Sequence, residues 1–358
     1  MTNQKDDYLK SDLATREIAR KRPRSEWVFA ERANRISEWL IDKMDPFIFD
    51  EFSEAYLASA KLETLMTNIP VPLRKEDIVA FGSKDGLDIR LICENMAKII
   101  GIDPTFPYTT AYTEFILRFL GKKAHELFVK AGGFEADNED LDGACIHFRA
   151  ALVIKPDDRD AMFGYARICR AMYNTSTNEK YVGSFKAESL TYFELLTELY
   201  PQFADGWYYL GYIYLNMGLY MKANLSWTRF VLRSNKVKEK KEIQQRLEQL
   251  TVPIEIEKGC NAVLAERWYE GLSVLLPFTE TVYKDWWPLW YYIGLARLGD
   301  GRKEEAKENF IRVLRLNGTQ RDTIRALIEI YKEEGDEAMS SKYEDKLTLL
   351  NAENAANE

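Results

Sequence analysis

Apolar and polar positions recur along this chain mainly at the spacing of helix faces. In SEWVFAERANRISEWLIDKM (25–44), Trp27, Val28, Ile36, Trp39 and Leu40 are spaced to mark one stripe. Ser25 stands as its cap and Asp45-Pro46 as its stop. FDEFSEAYLASAKLETLM predicts a second helix, after which Pro70 and Pro72 in NIPVPL hold the backbone extended. GLDIRLICENMAKIIGI, ending at Gly101, and AYTEFILRFLG predict two more helices. Residues 25–121 therefore read as an N-terminal helical bundle.

From residue 122 the pattern becomes periodic on a longer scale. WYYLGYIYLNMGLYMKA (207–223) and WYYIGLARLGDGRKEEA (290–306) agree at Trp207/Trp290, Tyr208/Tyr291, Tyr209/Tyr292, Gly211/Gly294, Leu215/Leu298, Gly218/Gly301 and Ala223/Ala306. Trp290 follows Ile256 by 34 residues and precedes Ile324 by 34. Each unit opens on a large residue, with apolar and small residues three and four on. A glycine near eleven and small or aromatic residues near sixteen and twenty follow, as in Trp290, Ile293, Gly294, Gly301, Ala306 and Phe310. Trp207, Leu210 and Tyr214 share a helical stripe, small residues at Gly211 and Ala223 let two helices approach, and Gly218 suits the turn between them.

Earlier and later units fit with interruptions. DGACIHFRAALVIKP supplies a second helix through Ala144, Phe148, Ala151 and Pro156, its first helix lying in KKAHELFVKAGGF. DAMFGYARICRAMY and AESLTYFELLTELYP form the next pair, and the charged run RSNKVKEKKEIQQRLEQL absorbs extra length before Ile256. TIRALIEIYKEEGDEAMSSKYEDKLTLL closes the array with the polar outer face of a capping unit.

These residues resemble the tetratricopeptide repeat, a helix with W-x-x-L-G-x-x-Y joined to one with A-x-x-x-F and a terminal proline. The expectation is an all-α chain: a flexible basic tail (1–24), the helical bundle (25–121), about five helix pairs of an α-solenoid (122–350) and a short disordered tail (351–358). The resemblance further implies that the first helix of each pair lines a concave groove through the residues one and five after the large one. Here these are Phe163 and Arg167, Tyr208 and Tyr212, Glu257 and Asn261, and Tyr291 and Leu295, with Arg170 forming an arginine pair with Arg167. Tyrosine suits such a surface because it buries much area at little rotamer entropy. Members that bind chaperone tails carry a lysine–asparagine carboxylate clamp at positions where this chain has Phe163 and Arg167 or Tyr208 and Tyr212, so that specificity is not implied.

Composition narrows the field. With 358 residues, 46% hydrophobic, the chain is long for one core and predicts two regions or one repeat array. The formal charge of −8 argues against nucleic acid as partner. Residues 1–24 nevertheless carry seven Lys/Arg against four Asp/Glu, clustered at Arg20, Lys21, Arg22 and Arg24. No run reaches the ~18 apolar residues of a membrane span, and the start has no apolar leader, which points to the cytoplasm.

Candidate chemistry is sparse. The two histidines, His125 and His147, and the four cysteines, Cys93, Cys145, Cys169 and Cys260, are scattered without metal-ligand or CxxC spacing. No phosphate-binding glycine loop or nucleophile elbow appears, and the acidic stretch from Glu135 to Asp142 lacks the central glycine of a calcium loop. The sequence thus predicts no cofactor, no metal and no catalysis. It predicts an adaptor that grips a protein or peptide segment. The alternative is a peptide- or protein-sensing regulator whose N-terminal region acts on a regulatory protein or on DNA, with GLDIRLICENMAKIIGI as a candidate recognition helix. KDWWPLWYY, with Trp286 and Trp287, offers a surface for self-association.

Overall fold

A computed structural model describes residues 35–74 and 88–357, with backbone alone after Ala352. The basic cluster Arg20–Arg24, the expected cap Ser25, and Trp27 and Val28 fall outside the described residues. The fold is all-α in character, seventeen helices and one two-stranded ribbon among the described residues. The described residues divide into two compact units: those up to 213 with 232–234, and 214–231 with those from 235 onward.

The N-terminal region departs in detail from the helices expected there. The described end of the first is two 3₁₀ turns, Ser37–Trp39 and Ile41–Met44, which still bury Ile36 and Leu40 completely. Strand β1 (Phe47–Asp50) pairs antiparallel with β2 (Val71–Arg74), in register Phe47 with Arg74 and Asp50 with Val71. The expected second helix is broken: Ser53 caps α1 (Glu54–Ala60), Lys61 turns left-handed at φ 56°, and α2 (Glu63–Met66) follows. The two prolines leave carbonyls that other groups use. Tyr112 Oη donates to Pro70 O at 2.5 Å and Asn95 Nδ2 to Pro72 O at 3.2 Å. Those donors stand on α4 (Thr109–Leu120) and α3 (Ile89–Ile102), the latter capped by Asp88.

Two helix hairpins follow in the first unit. They are α5 (Ala124–Asp137) with α6 (Leu141–Ile154) and α7 (Arg159–Tyr173) with α8 (Glu179–Leu199). Helix α6 packs on both α3 and α7. Gly101 permits the contact with α3, because a Cβ there would stand 2.1 Å from the Ile146 carbonyl oxygen. A linked set of buried ionisable groups, Arg149, Glu188 and Tyr165, occupies this core. The Arg149 guanidinium, wholly enclosed, donates to Ser37 Oγ (2.8 Å) and Ile102 O (3.3 Å). Glu188, nearly as buried, accepts from Tyr165 Oη at 2.9 Å and faces Arg35 at 3.7 Å.

The division between the units falls in the stretch that opened the repeat pattern, helices α9 (Ala204–Asn216) and α10 (Tyr220–Arg233). Helix α11 (Val237–Gln249) takes up the charged run. Three hairpins follow: α12 (Thr251–Leu264) with α13 (Trp268–Leu275), α14 (Trp287–Gly299) with α15 (Lys303–Leu316), and α16 (Arg321–Glu334) with α17 (Glu337–Asn357). Their cores are apolar. Ile256, Val263, Leu272, Leu289 and Ile293 form one cluster, and Ala306, Phe310, Leu327 and Ile330 another. Gly294 admits Phe310, whose Cε1 would lie 2.6 Å from an added Cβ. Gly218 and Gly301 adopt the left-handed turn expected of them, at φ 72° and 82°.

The two motif tryptophans share one further device. Trp207 Nε1 donates to Pro201 O at 2.9 Å and Trp290 Nε1 to Lys284 O at 2.7 Å, each six residues upstream. The ring packs while its single donor fastens the loop that enters the helix.

Candidate functional site

Helix α7 is two-faced. Ala161, Met162, Tyr165, Ala166, Cys169 and Met172 are buried. Phe163, Arg167 and Arg170 recur four and then three residues apart, so they form a second stripe outside that buried set. In the same unit α9 contributes Tyr208, Tyr209 and Tyr212, and the turn before it Phe203. The rings interlock edge to face: Phe163 meets Phe203 at 5.1 Å and Tyr209 at 5.7 Å, and Tyr208 meets Tyr212 at 5.1 Å. Buried Phe193 stacks under Tyr209 at 5.5 Å.

The arginines lie over this aromatic wall. Arg167 Cζ is 5.5 Å from the Phe163 ring centre and 5.7 Å from that of Tyr209, and Arg170 Cζ is 5.7 Å from Tyr209. Arg170 Nε is enclosed and has no hydrogen-bond partner among the described residues. A guanidinium placed over a ring is held by the ring's quadrupole while its N–H edge stays available to a planar anion. The wall therefore combines apolar area with two oriented donors.

The expected groove residues are distributed between the units. Phe163, Arg167, Arg170, Tyr208 and Tyr212 come together in the first. Asn261 is exposed on α12, and Tyr291 and Leu295 stand on α14, in the second. There Tyr291 turns toward Phe310 (6.1 Å between ring centres) and the second apolar cluster, and Leu295 packs against both clusters. Sequence reasoning missed Tyr209, Phe203 and Arg159, the last stacked over Phe203 at 5.2 Å. The signal was the run of two tyrosines after Trp207, of which only the first was assigned to the face.

Other reactive groups are occupied or muted. His147 pairs closely with Glu135, and His125 Nε2 is 3.4 Å from Asp158 Oδ2. All four cysteines are free and buried. Burial pushes the thiols of Cys93 and Cys260 up to about 12, and burial raises Cys169 well above the ordinary thiol range. Protonated thiols are poor nucleophiles. Among the described residues no cluster of His, Cys, Asp and Glu could hold a metal ion, and no helix is long and apolar enough to cross a membrane.

Helix hairpins that repeat a Trp/Gly/Ala signature about small-residue contacts define an α-helical repeat protein. Residues 192–223, covering the end of α8, α9 and the start of α10, match the family model described as tetratricopeptide repeat. That match identifies one tetratricopeptide repeat within the chain, over the stretch that carries the Trp207 motif. Solved structures similar to it include the tetratricopeptide-repeat domain of P58(IPK), at 17% identity and TM-score 0.40, with 64% of this chain and 60% of that one covered. YrrB, described as having an unusual peptide-binding site, matches at 15% identity and TM-score 0.31, with 56% and 89% covered. A repeat protein from Parabacteroides merdae matches at 13% identity and TM-score 0.30, with 77% and 91% covered. No curated protein matches the chain.

Proposed function

We propose that this protein is a non-enzymatic adaptor, and that the face carrying Phe163, Arg167, Arg170, Tyr208 and Tyr212 holds a segment of a partner protein. The observation behind this reading is the pair of arginines stacked on aromatic rings, with no carboxylate in an ion pair with either among the described residues. An occupying segment would lay apolar side chains against Phe163, Tyr208 and Tyr212, and place carboxylates at the guanidinium edges. Charge-assisted, bidentate contacts of that kind add specificity to the aromatic burial. Asn261, exposed on α12, would serve a second, weaker stretch of the repeat surface, whereas Tyr291 and Leu295 are engaged with the apolar clusters of their own unit. Four reduced, buried thiols suit residence in a reducing compartment, and we place the protein in the cytoplasm.

The regulator reading finds less support. Helix α3, the candidate DNA reader, buries Ile92, Cys93, Asn95, Met96, Ile99 and Ile100, which leaves little of it to enter a groove.

The test compares partners captured from native lysate by the wild type and by a Tyr208→Ala/Tyr212→Ala/Arg167→Ala variant of unchanged helicity. A partner lost only from the variant supports the reading. Equal capture by both overturns it.

A further inference from the structure

Helix α16 packs against both α15 and α17, and a cleft of about 710 Å³ opens between those two in the second unit. Ile311 and Leu314 from α15, with Tyr343 and Leu349 from α17, give it an apolar wall. Leu349 leaves 66% of its surface to solvent, although the neighbouring Tyr343 is packed onto the core. Three cations rim this wall, Arg315, Lys342 and Lys346, against one carboxylate, Asp345.

The rim contrasts with the ion pairs around it. Lys303 pairs with Glu333 (2.5 Å), Lys307 with Glu334 (2.9 Å) and Lys332 with Glu344 (2.8 Å). Arg315, Lys342 and Lys346 are in no ion pair among the described residues, in a chain whose formal charge is −8. On α17 the positions 338, 342, 346 and 349 follow one another at four, four and three residues, so Lys342, Lys346 and Leu349 share one helical face. Apolar area and positive charge are thus gathered on a single surface.

The geometry points to a docking site for an acidic amphipathic helix of a partner protein. Its apolar side chains would seat against Ile311, Leu314 and Leu349, and its flanking carboxylates would meet Arg315, Lys342 and Lys346. The cleft is lined along α17 from Ala338 to Leu349, a rise of about 17 Å, room for about three turns of an occupying helix. Charge complementarity selects the occupant. It disfavours the chain's own residues 1–24, which carry seven Lys/Arg and four Asp/Glu. The surface shares no residue with the aromatic face on α7 and α9 and does not depend on it.

The probe is a fluorescein-labelled 14-residue peptide with Leu and Glu at helical spacing, beside a matched peptide with Lys for Glu. Both are titrated into the full chain and followed by anisotropy. The Glu peptide should bind saturably and weaken as salt is raised, and the Lys peptide should not bind. An Arg315→Glu/Lys342→Glu/Lys346→Glu variant of unchanged helicity should lose at least about tenfold in affinity, since reversing rim charges sets like against like. The milder Lys342→Ala/Lys346→Ala variant should lose less, and Tyr208→Ala/Tyr212→Ala should bind as the wild type does. Absence of binding by the Glu peptide, equal binding by the Lys peptide, or undiminished affinity in the triple variant would each overturn the site.

Discussion

The two copies of the Trp-Tyr-Tyr motif begin alike and are used differently. In both, the tryptophan fastens the loop six residues upstream through its indole N–H. After Trp290 the tyrosines turn inward, Tyr292 against the Ile256 cluster and Tyr291 against the Phe310 cluster. After Trp207 the tyrosines join Phe163 and two arginines in a mixed aromatic and cationic wall. The cores differ in the same sense. The first unit encloses Arg149, Glu188 and Tyr165, and the clusters of the second are apolar. A repeat motif thus sets the helix and its entry turn, and what its aromatics do depends on the helix that each unit sets beside them.

The contrast in cores is broken most severely at Arg149. Removing this side chain leaves Ser37 Oγ and Ile102 O without its donated bonds and strips compensating charge from Glu188. Breaking a buried charged network in this way costs about 3–5 kcal/mol. In Arg149→Ala, hydrogen exchange should therefore lose protection across α3, α6 and α7 while α14 and α15 keep theirs. A uniform loss over both units, or a loss below about 1 kcal/mol, would mean that the polar core is not what distinguishes the first unit.

That polar core was the part least visible in the sequence. Arg149 sits within the apolar run of α6, and Glu188 stands second in AESLTYF. Nothing local reveals that the two share one core or that Ser37, over a hundred residues away, receives a bond from Arg149. The helix hairpins were legible because the spacing from Ile256 through Trp290 to Ile324 repeats a local pattern of large and small residues. The ribbon was not: Pro70 and Pro72 marked extended chain, but prolines argue against a strand, and its partner Phe47–Asp50 is only four residues long. The break at Lys61 had no signal either, since lysine has no preference for the left-handed turn that it adopts. At the candidate site, Phe163 and Arg167 were implied by the resemblance to the tetratricopeptide repeat, which puts the residues one and five after the large one on the groove, and Arg170 was added as the partner of Arg167. The inward turn of Tyr291 depends on Phe310, a contact that the repeat motif alone did not specify.

A smaller effect tests how closely each unit's helices approach. An added Cβ at Gly101 meets the Ile146 carbonyl oxygen at 2.1 Å, so α3 must move away from α6. At Gly294 it meets the Phe310 ring at 2.6 Å, and a side chain can shift where a backbone cannot. Overpacking costs of about 1–3 kcal/mol are expected, with Gly101→Ala at the upper end and Gly294→Ala at the lower. Urea unfolding of the two variants measures the difference, and the reverse order would mean that the tighter interface is in the second unit.

The finest probe of the comparison is the pH dependence of Glu188. Burial, the largest influence, raises its pKa against the opposing effects of the Tyr165 hydroxyl, Arg149 and Arg35. A carboxyl with a raised native pKa favours the folded state while protonated. Its contribution is complete below the unfolded value of about 4.3 and is lost as pH rises through the native pKa. Gln at this position keeps an acceptor for the Tyr165 hydroxyl and cannot ionise. As pH rises from about 4 through the native pKa, the urea midpoint of the wild type should therefore fall relative to that of Glu188→Gln. Hydrogen exchange should confine the changing difference to the first unit, α6 to α8, and leave α14 and α15 alone. A difference that stays constant with pH would show that Glu188 is as well solvated in the fold as out of it, and the two cores would then differ in composition but not in electrostatics.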